Sequence, residues 1–194
     1  DGPYISIIIP AYNEAAVIGD IVRRTYQSLG EMGYIFEVLV VDDGSSDGTA
    51  EAAESAGAGV IRHPYNIGNG AAVKTGIRNA QGEIVVMLDG DGQHNPEEIP
   101  RLLEQVGPYD MAVGARTSES QTELHRDLAN RVYNLFASYV CGRKIEDLTS
   151  GFRAVNADIA RGFVYLLPNT FSYPTTITLA IVRSGYSLVY VPIK

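Results

Sequence analysis

Three times in its first half the chain repeats one pattern: a short β-branched apolar run, an abrupt stop at polar or acidic residues, then apolar residues at helical spacing. The runs are Tyr4 to Ile9, Phe36 to Val41 and Ile84 to Leu88. They lead into Ala11-Tyr12-Asn13-Glu14, Asp42-Asp43-Gly44-Ser45 and Asp89-Gly90-Asp91-Gly92-Gln93. Runs this short and this uniformly apolar read as strands buried on both faces. Strands alternating with helices specify a mostly parallel sheet with right-handed crossovers, so the fold class is α/β. Sheets of that kind bind ligands beyond the carboxyl ends of their strands, where this chain puts its acids.

The third tip carries the sharpest chemistry. In an extended segment the alternating Asp89, Asp91 and Gln93 share one side, and the glycines between them let a ligand approach the backbone. Oxygen ligands of this kind suit Mg²⁺ or Mn²⁺ holding phosphates. The plainer reading is a turn in which Asp and Gly end a strand. An EF-hand fails, because counting from Asp89 puts His94 at the sixth position and Pro100 at the twelfth. The loop Pro64 to Gly70, before a helix predicted over Ala71 to Ala80, is not a phosphate loop, since Val73 precedes Lys74 where glycine is required. The dinucleotide fingerprint fails at the same place. A helix N-terminus behind Asn66 and Gly68 still suits a bound anion.

Periodicity predicts further helices over Ala15 to Leu29, Thr49 to Ser55 (capped by Ser46 or Asp47), Pro96 to Val106 (capped by Asn95), Leu124 to Val140, Ala157 to Leu166 and Thr175 to Ser184. Short strands are expected at Val60-Ile61, Met111 to Val113, near Val155 and at Leu188 to Val191, and residues 117–123 read as a polar loop. On the helix 124–140, Arg126, Asn130 and Asn134 share a face, either solvated or turned into a cleft where the arginine meets an anion. The 194 residues, 45% of them hydrophobic, are enough for one α/β core, and residues 1–194 are taken as a single domain. A net charge of −8 without a basic stripe argues against nucleic acid as a partner. A lone cysteine, Cys141, forms no internal disulfide, which suits the cytosol, and no apolar run reaches the ~18 residues of a membrane span. The start at Asp1-Gly2 and the end at Lys194, in or just after a strand, suggest a piece of a longer protein.

Taken together, Ile9-Pro10-Ala11-Tyr12-Asn13-Glu14, Val40-Val41-Asp42-Asp43-Gly44-Ser45, Leu88-Asp89-Gly90-Asp91-Gly92-Gln93-His94, Gly114-Ala115-Arg116 and Thr149-Ser150-Gly151-Phe152-Arg153 resemble, in order and spacing, the family 2 glycosyltransferases. Within them the pattern is most similar to the dolichol- and polyprenyl-phosphate branch. The resemblance implies the GT-A fold and transfer of a sugar from a UDP- or GDP-linked donor to a polyprenyl or dolichyl phosphate, with inversion. It implies a nucleotide pocket of Pro10, Ala11, Tyr12, Glu14, Asp42, Asp43, Gly44, Asn66, Gly68, Asp89 and Gly90, with Asp43 facing the base or ribose. It places Mg²⁺ or Mn²⁺ on Asp91 and Gln93, beside Asp89, and the donor or acceptor phosphates near Arg116, Arg126 and Asn130. Asp91, Arg126 and Asp147 would be the catalytic set. Family members usually continue past the Val191-Pro192-Ile193 strand into a basic, membrane-associated segment. That continuation would hold the protein at the cytoplasmic face of a membrane.

An acceptor phosphate is already anionic, so metal and arginines suffice where a sugar hydroxyl would need Asp147 as a base. A saccharide acceptor or a non-catalytic sugar-nucleotide module are the alternatives. A sugar nucleotidyltransferase is disfavoured, because Ala11-Tyr12-Asn13-Glu14 is not a basic triphosphate loop.

Overall fold

The computed structural model describes residues 4–116, 145 and 147–193. In chain order its elements are β1 (Ile5–Ala11), α1 (Ile18–Glu31), β2 (Phe36–Asp42), α2 (Thr49–Ser55), β3 (Gly59–Arg62), α3 (Asn69–Asn79) and β4 (Ile84–Met87). Then come α4 (Ile99–Leu103, preceded by a 3₁₀ turn over Pro96–Glu98), β5 (Met111–Arg116), β6 (Arg153–Asn156), α5 (Ala157–Phe163, extended by a 3₁₀ turn over Val164–Leu166), α6 (Tyr173–Arg183) and β7 (Leu188–Ile193). The expected helix 124–140, with Arg126, Asn130, Asn134 and Cys141 just after it, lies outside the described residues, as does the loop 117–123.

The strands form one seven-stranded sheet in the order β3-β2-β1-β4-β6-β5-β7. The ladders β3-β2, β2-β1, β1-β4 and β5-β7 are parallel, while β6 runs antiparallel to both β4 and β5. The mostly parallel expectation therefore holds, with β6 the exception. Alternation along the buried strands feeds two cores. Ile7 and Ile9 of β1 and Val86 of β4 pack on one face with Ile18, Ile21 and Val22 of α1 and Ile99 and Leu102 of α4. Ile8, Val85 and Met87 pack on the other with Val73 and Ile77 of α3 and Ile177 and Ile181 of α6. A strand with both faces covered is apolar at nearly every position, and β1 and β4 are buried throughout; the one polar residue, Ser6 of β1, has its hydroxyl bonded to Glu37 and the Gly82 amide.

Several boundaries move for local reasons. β1 runs through Pro10 to Ala11, because β1 has no partner on β4 beyond Ile8↔Met87, and a proline without an N–H is tolerated where a ladder has ended. Asn95 makes no capping bond; its side-chain oxygen instead accepts from Arg24, whose guanidinium also binds Glu97 and ties α1 to the turn before α4. The residue that caps α2 is Gly48, with Asp47 accepting from the Thr49 amide beside it. Consecutive strands first step outward, β1 to β2 to β3, and the chain then crosses back to place β4 on the other side of β1. That reversal opens a crevice at the carboxyl ends of β1 and β4.

Candidate active site

A cavity of about 570 Å³ occupies this crevice. It is lined by Pro10, Ala11, Tyr12 and Glu14 after β1, Asp43 after β2, Asn66, Gly68, Asn69 and Ala72 at the start of α3, Asp89, Gly90, Asp91 and Gln93 after β4, and Phe171 before α6. Strand tips and one helix start, distant in sequence, thus converge because a parallel sheet brings all its carboxyl ends to one edge.

The tips of β1 and β2 are stitched together. Asn13, at a left-handed φ of 56°, donates its amide to the Ser45 hydroxyl and accepts from the Ser46 amide, the Glu14 amide donates to the Thr49 hydroxyl, and the Ala15 amide donates to Asp47. Asp42 accepts from the Ser45 amide and so shapes the turn at Gly44, whose φ is +78°. A Cβ on Gly44 would fall 2.5 Å from the Tyr65 backbone, so only glycine lets the loop before α3 cross here. Asp43, 2% exposed, accepts from the Ile67 amide at 3.0 Å, the Gly68 amide at 2.8 Å and His63 Nδ1 at 2.7 Å.

The tip of β4 is built differently. The expected extended segment is a turn: Gly92 has a φ of +78°, and Asp91 Oδ1 accepts from the Gln93 amide at 2.9 Å. Asp89, Asp91 and Gln93 still all line the cavity, but they do so through the turn and not through strand alternation. The turn swings His94 inward, where its ring is buried against Phe152 with centroids 5.4 Å apart. His94 Nε2 lies 3.6 Å from Asp89 Oδ2, too long for a hydrogen bond, and has no other hydrogen-bond partner. Gly151 backs directly onto Asp89, since a Cβ there would sit 2.2 Å from Oδ2.

Beneath Asp89 lies a charge the motif-by-motif reading gave no role. Arg153 is fully buried, donating to the carbonyls of Ser150 and Leu148 and to the Thr178 hydroxyl on α6. Burial pulls its pKa down, opposed by the neighbouring Tyr173, Tyr190, Asp147 and Asp89. The Tyr173 hydroxyl, buried without a hydrogen-bond partner, is pushed upward, mainly by burial and then by the charge of Asp89. Asp147, expected in the catalytic set, is not among the residues lining the cavity: its Oδ1 accepts from the Thr149 amide and hydroxyl and the Ser150 amide. Arg116 ends β5, and Arg126 and Asn130 lie outside the described residues.

The lining also holds residues that sequence reading missed. Phe171, 81% exposed at the rim, comes from a loop with no periodicity to mark it. Asn69 and Ala72 enter because α3 begins at Asn69, two residues earlier than its apolar spacing suggested. Burial, then the carboxylates of Asp91 and Asp47, raise the Glu14 pKa above its ordinary 4.5. Among the described lining residues there are four carboxylates, of Glu14, Asp43, Asp89 and Asp91, and no lysine or arginine. Among the described residues no three His, Cys, Asp or Glu side chains converge as a metal site, so a cation held at Asp89 and Asp91 would take its remaining ligands from Gln93 and a bound ligand. The excess of negative charge and the oxygen-only donors at the β4 tip fit a hard divalent ion.

Comparison with known proteins agrees with this geometry. The sequence pattern of glycosyl transferase family 2 matches residues 6–163. The undecaprenyl-phosphate 4-deoxy-4-formamido-L-arabinose transferase of Pseudomonas aeruginosa is 34% identical over 186 residues, 88% of this chain and 55% of that protein. The chain therefore spans about half the length of that relative. Uncharacterized protein MJ1222 of Methanocaldococcus jannaschii is 33% identical over 98% of this chain and 80% of its own. Among solved structures, mannosyl-3-phosphoglycerate synthase from Rubrobacter xylanophilus superposes with a TM-score of 0.79 at 21% identity, over 99% of this chain and 65% of that one. Glucosyl-3-phosphoglycerate synthase from Mycobacterium tuberculosis, in complex with Mn²⁺, UDP-glucose and phosphoglyceric acid, gives 0.79 at 22%, over 98% and 70%. These likenesses carry the fold alone, which is GT-A. With the strand tips, the acid-lined crevice and the family pattern covering most of its length, the chain belongs to glycosyl transferase family 2.

Proposed function

We propose that this chain is the catalytic domain of an inverting, metal-dependent glycosyltransferase that moves a sugar from a nucleoside-diphosphate sugar to a polyprenyl phosphate. The observation that carries the donor half is the charge of the cavity, whose described lining has four carboxylates and no basic side chain. A diphosphate enters such a space only with a cation between it and the acids. The lipid half rests on relatives named as undecaprenyl-phosphate transferases, of which this chain spans 55%.

Asp91 and Gln93, with Asp89 beside them, would hold Mg²⁺ or Mn²⁺. Bound there, the ion would supply neutralisation of the diphosphate as it departs. Tyr12, 47% exposed, would offer an aromatic face to the base, and Asp43 and the Asn66–Gly68 loop line the same cavity as the β4 tip. A phosphate acceptor oxygen attacks the anomeric carbon from the side opposite the breaking bond to the diphosphate, which inverts that centre. Arg116, Arg126 and Asn130 are proposed to orient the acceptor. A phosphate acceptor needs no strong base, and the turn-bound Asp147 does not supply one to the cavity. Among the described residues no helix is long and apolar enough to cross a membrane, so access to the lipid is proposed to come from contact with the membrane surface.

Calorimetric titration with UDP, GDP, CDP, TDP and ATP, each with and without Mn²⁺, tests the donor half. One diphosphate binding only with metal, and not to Asp91→Ala, is expected; transfer of the matching sugar to undecaprenyl phosphate is then assayed. Metal-independent binding, or binding that survives Asp91→Ala unchanged, overturns the reading.

A further inference from the structure

Behind Asp43 the structure holds a hydrogen-bonded chain that the family motifs leave out. His63 follows β3, its side chain 9% exposed, with its two ring nitrogens facing opposite ways: Nδ1 meets Asp43 Oδ1 at 2.7 Å and Nε2 meets the Thr75 hydroxyl of α3 at 2.9 Å. The His63 amide donates to the Asp42 carbonyl at 2.8 Å, which anchors the residue to the β2 tip. An ionised carboxylate only accepts, so Nδ1 carries the proton, and Thr75 supplies the contact that holds the ring in that orientation.

Asp43 in turn accepts from the amides of Ile67 and Gly68. Those amides belong to the Asn66–Gly68 loop, which lines the cavity and begins α3. Oδ1 is shared between His63 and Ile67, while Oδ2 takes only Gly68. A carboxylate offers about four acceptor sites, so one remains, on Oδ2, for a donor from the cavity. Which way that site points depends on how the carboxylate is turned, and His63 is the only side chain that hydrogen-bonds it among the described residues.

We infer that His63 and Thr75 are positioning residues of the nucleotide pocket. Through the chain Thr75–His63–Asp43 they set the rotation of the Asp43 carboxylate, hold the Ile67 and Gly68 amides in place, and aim the remaining acceptor site of Asp43 at an N–H of the bound ligand. The last part rests on the nucleotide-donor reading above; the first two are properties of the ligand-free protein. The logic matches that of outer-sphere groups that orient a metal-ligating side chain, whose loss weakens metal affinity or activity about 10- to 100-fold.

The two nitrogens of His63 can be tested separately. Asparagine places its amide N–H near the position of Nδ1, glutamine near that of Nε2, and leucine fills the volume with neither. Amide exchange at Ile67 and Gly68, followed by NMR on the ligand-free protein, is expected to quicken roughly tenfold or more in His63→Leu and His63→Gln and to stay near wild type in His63→Asn. Thr75→Val, which removes only the hydroxyl, is expected to quicken it about threefold. Affinity for the nucleoside diphosphate that the wild-type chain binds should weaken in the same order. Unchanged exchange in His63→Leu, or equal quickening in His63→Asn and His63→Leu, overturns the inference. A wild-type chain that binds no nucleoside diphosphate overturns the donor reading and the aiming of Oδ2, while the exchange series still decides whether His63 positions Asp43.

Discussion

The tips of β2 and β4 carry nearly the same letters, Asp42-Asp43-Gly44 and Asp89-Gly90-Asp91, and the fold uses them in opposite ways. At β2 both acids are buried, 3% and 2% exposed, and protein donors surround them: the Ser45 amide at Asp42, and two amides and an imidazole at Asp43. At β4, Asp89 keeps a quarter of its side chain open, with His94 beside it too far for a hydrogen bond, and Asp91 is exposed and takes one amide from its own turn. One pair is largely satisfied by the protein and ties the β2 tip to the loop before α3. The other leaves negative charge to be met from outside. A buried carboxylate persists only when most of its bonds are made, so the bonding pattern separates an acid held largely by the protein from one left open to solvent or a cation, where sequence cannot.

Exchanging each acid for its amide tests that division most strongly. Asp43→Asn puts an NH₂ against donors and should destabilise the protein by about 3 kcal/mol in denaturant titration. Asp91→Asn should change stability by less than about 0.5 kcal/mol while removing metal-dependent nucleotide binding. The reverse pattern would break the comparison.

A smaller effect is expected from Gly151→Ala. Its Cβ would collide with the Asp89 carboxylate, and with the Ser150 carbonyl held by Arg153 it is the carboxylate that must turn away. The expected cost is about 1–2 kcal/mol of stability, together with loss of nucleotide affinity from a displaced Asp89. A variant with wild-type melting and wild-type affinity would mean that Asp89 is not held from behind.

The smallest effect sharpens the electrostatic side. Glu14 has its pKa raised by burial first and by Asp91 and Asp47 next. A carboxyl whose pKa is higher folded than unfolded contributes stability below the unfolded value, near 4.5, and loses it as pH rises through the folded value. In Asp91→Asn the Glu14 carboxyl should titrate at lower pH than in the wild type by NMR, with the burial contribution remaining. Equal titration in both proteins would show that Asp91 does not act on Glu14 across the cavity.

Much of this was readable from the chain alone. Uniformly apolar, β-branched runs interrupted by helical spacing leave few alternatives to a doubly covered, mostly parallel sheet, and its topology puts Tyr12, Glu14, Asp43 and Asp89 at one edge before any coordinate is known. What strand alternation misjudged was the β4 tip, where a turn replaced the extended segment, and what it could not reach at all was the bonding of Asp43, Asp147 and Arg153. Asp43 is bonded by His63, Ile67 and Gly68 and Arg153 by Thr178 of α6, all distant in sequence, whereas Asp147 is taken up within its own turn by Thr149 and Ser150. Local pattern specifies which residues are strand, helix or tip, because side-chain periodicity is a property of neighbours in sequence. Whether an acid at a tip is consumed or left open depends on which donors other segments bring within 3 Å, and that only the packed tertiary structure decides.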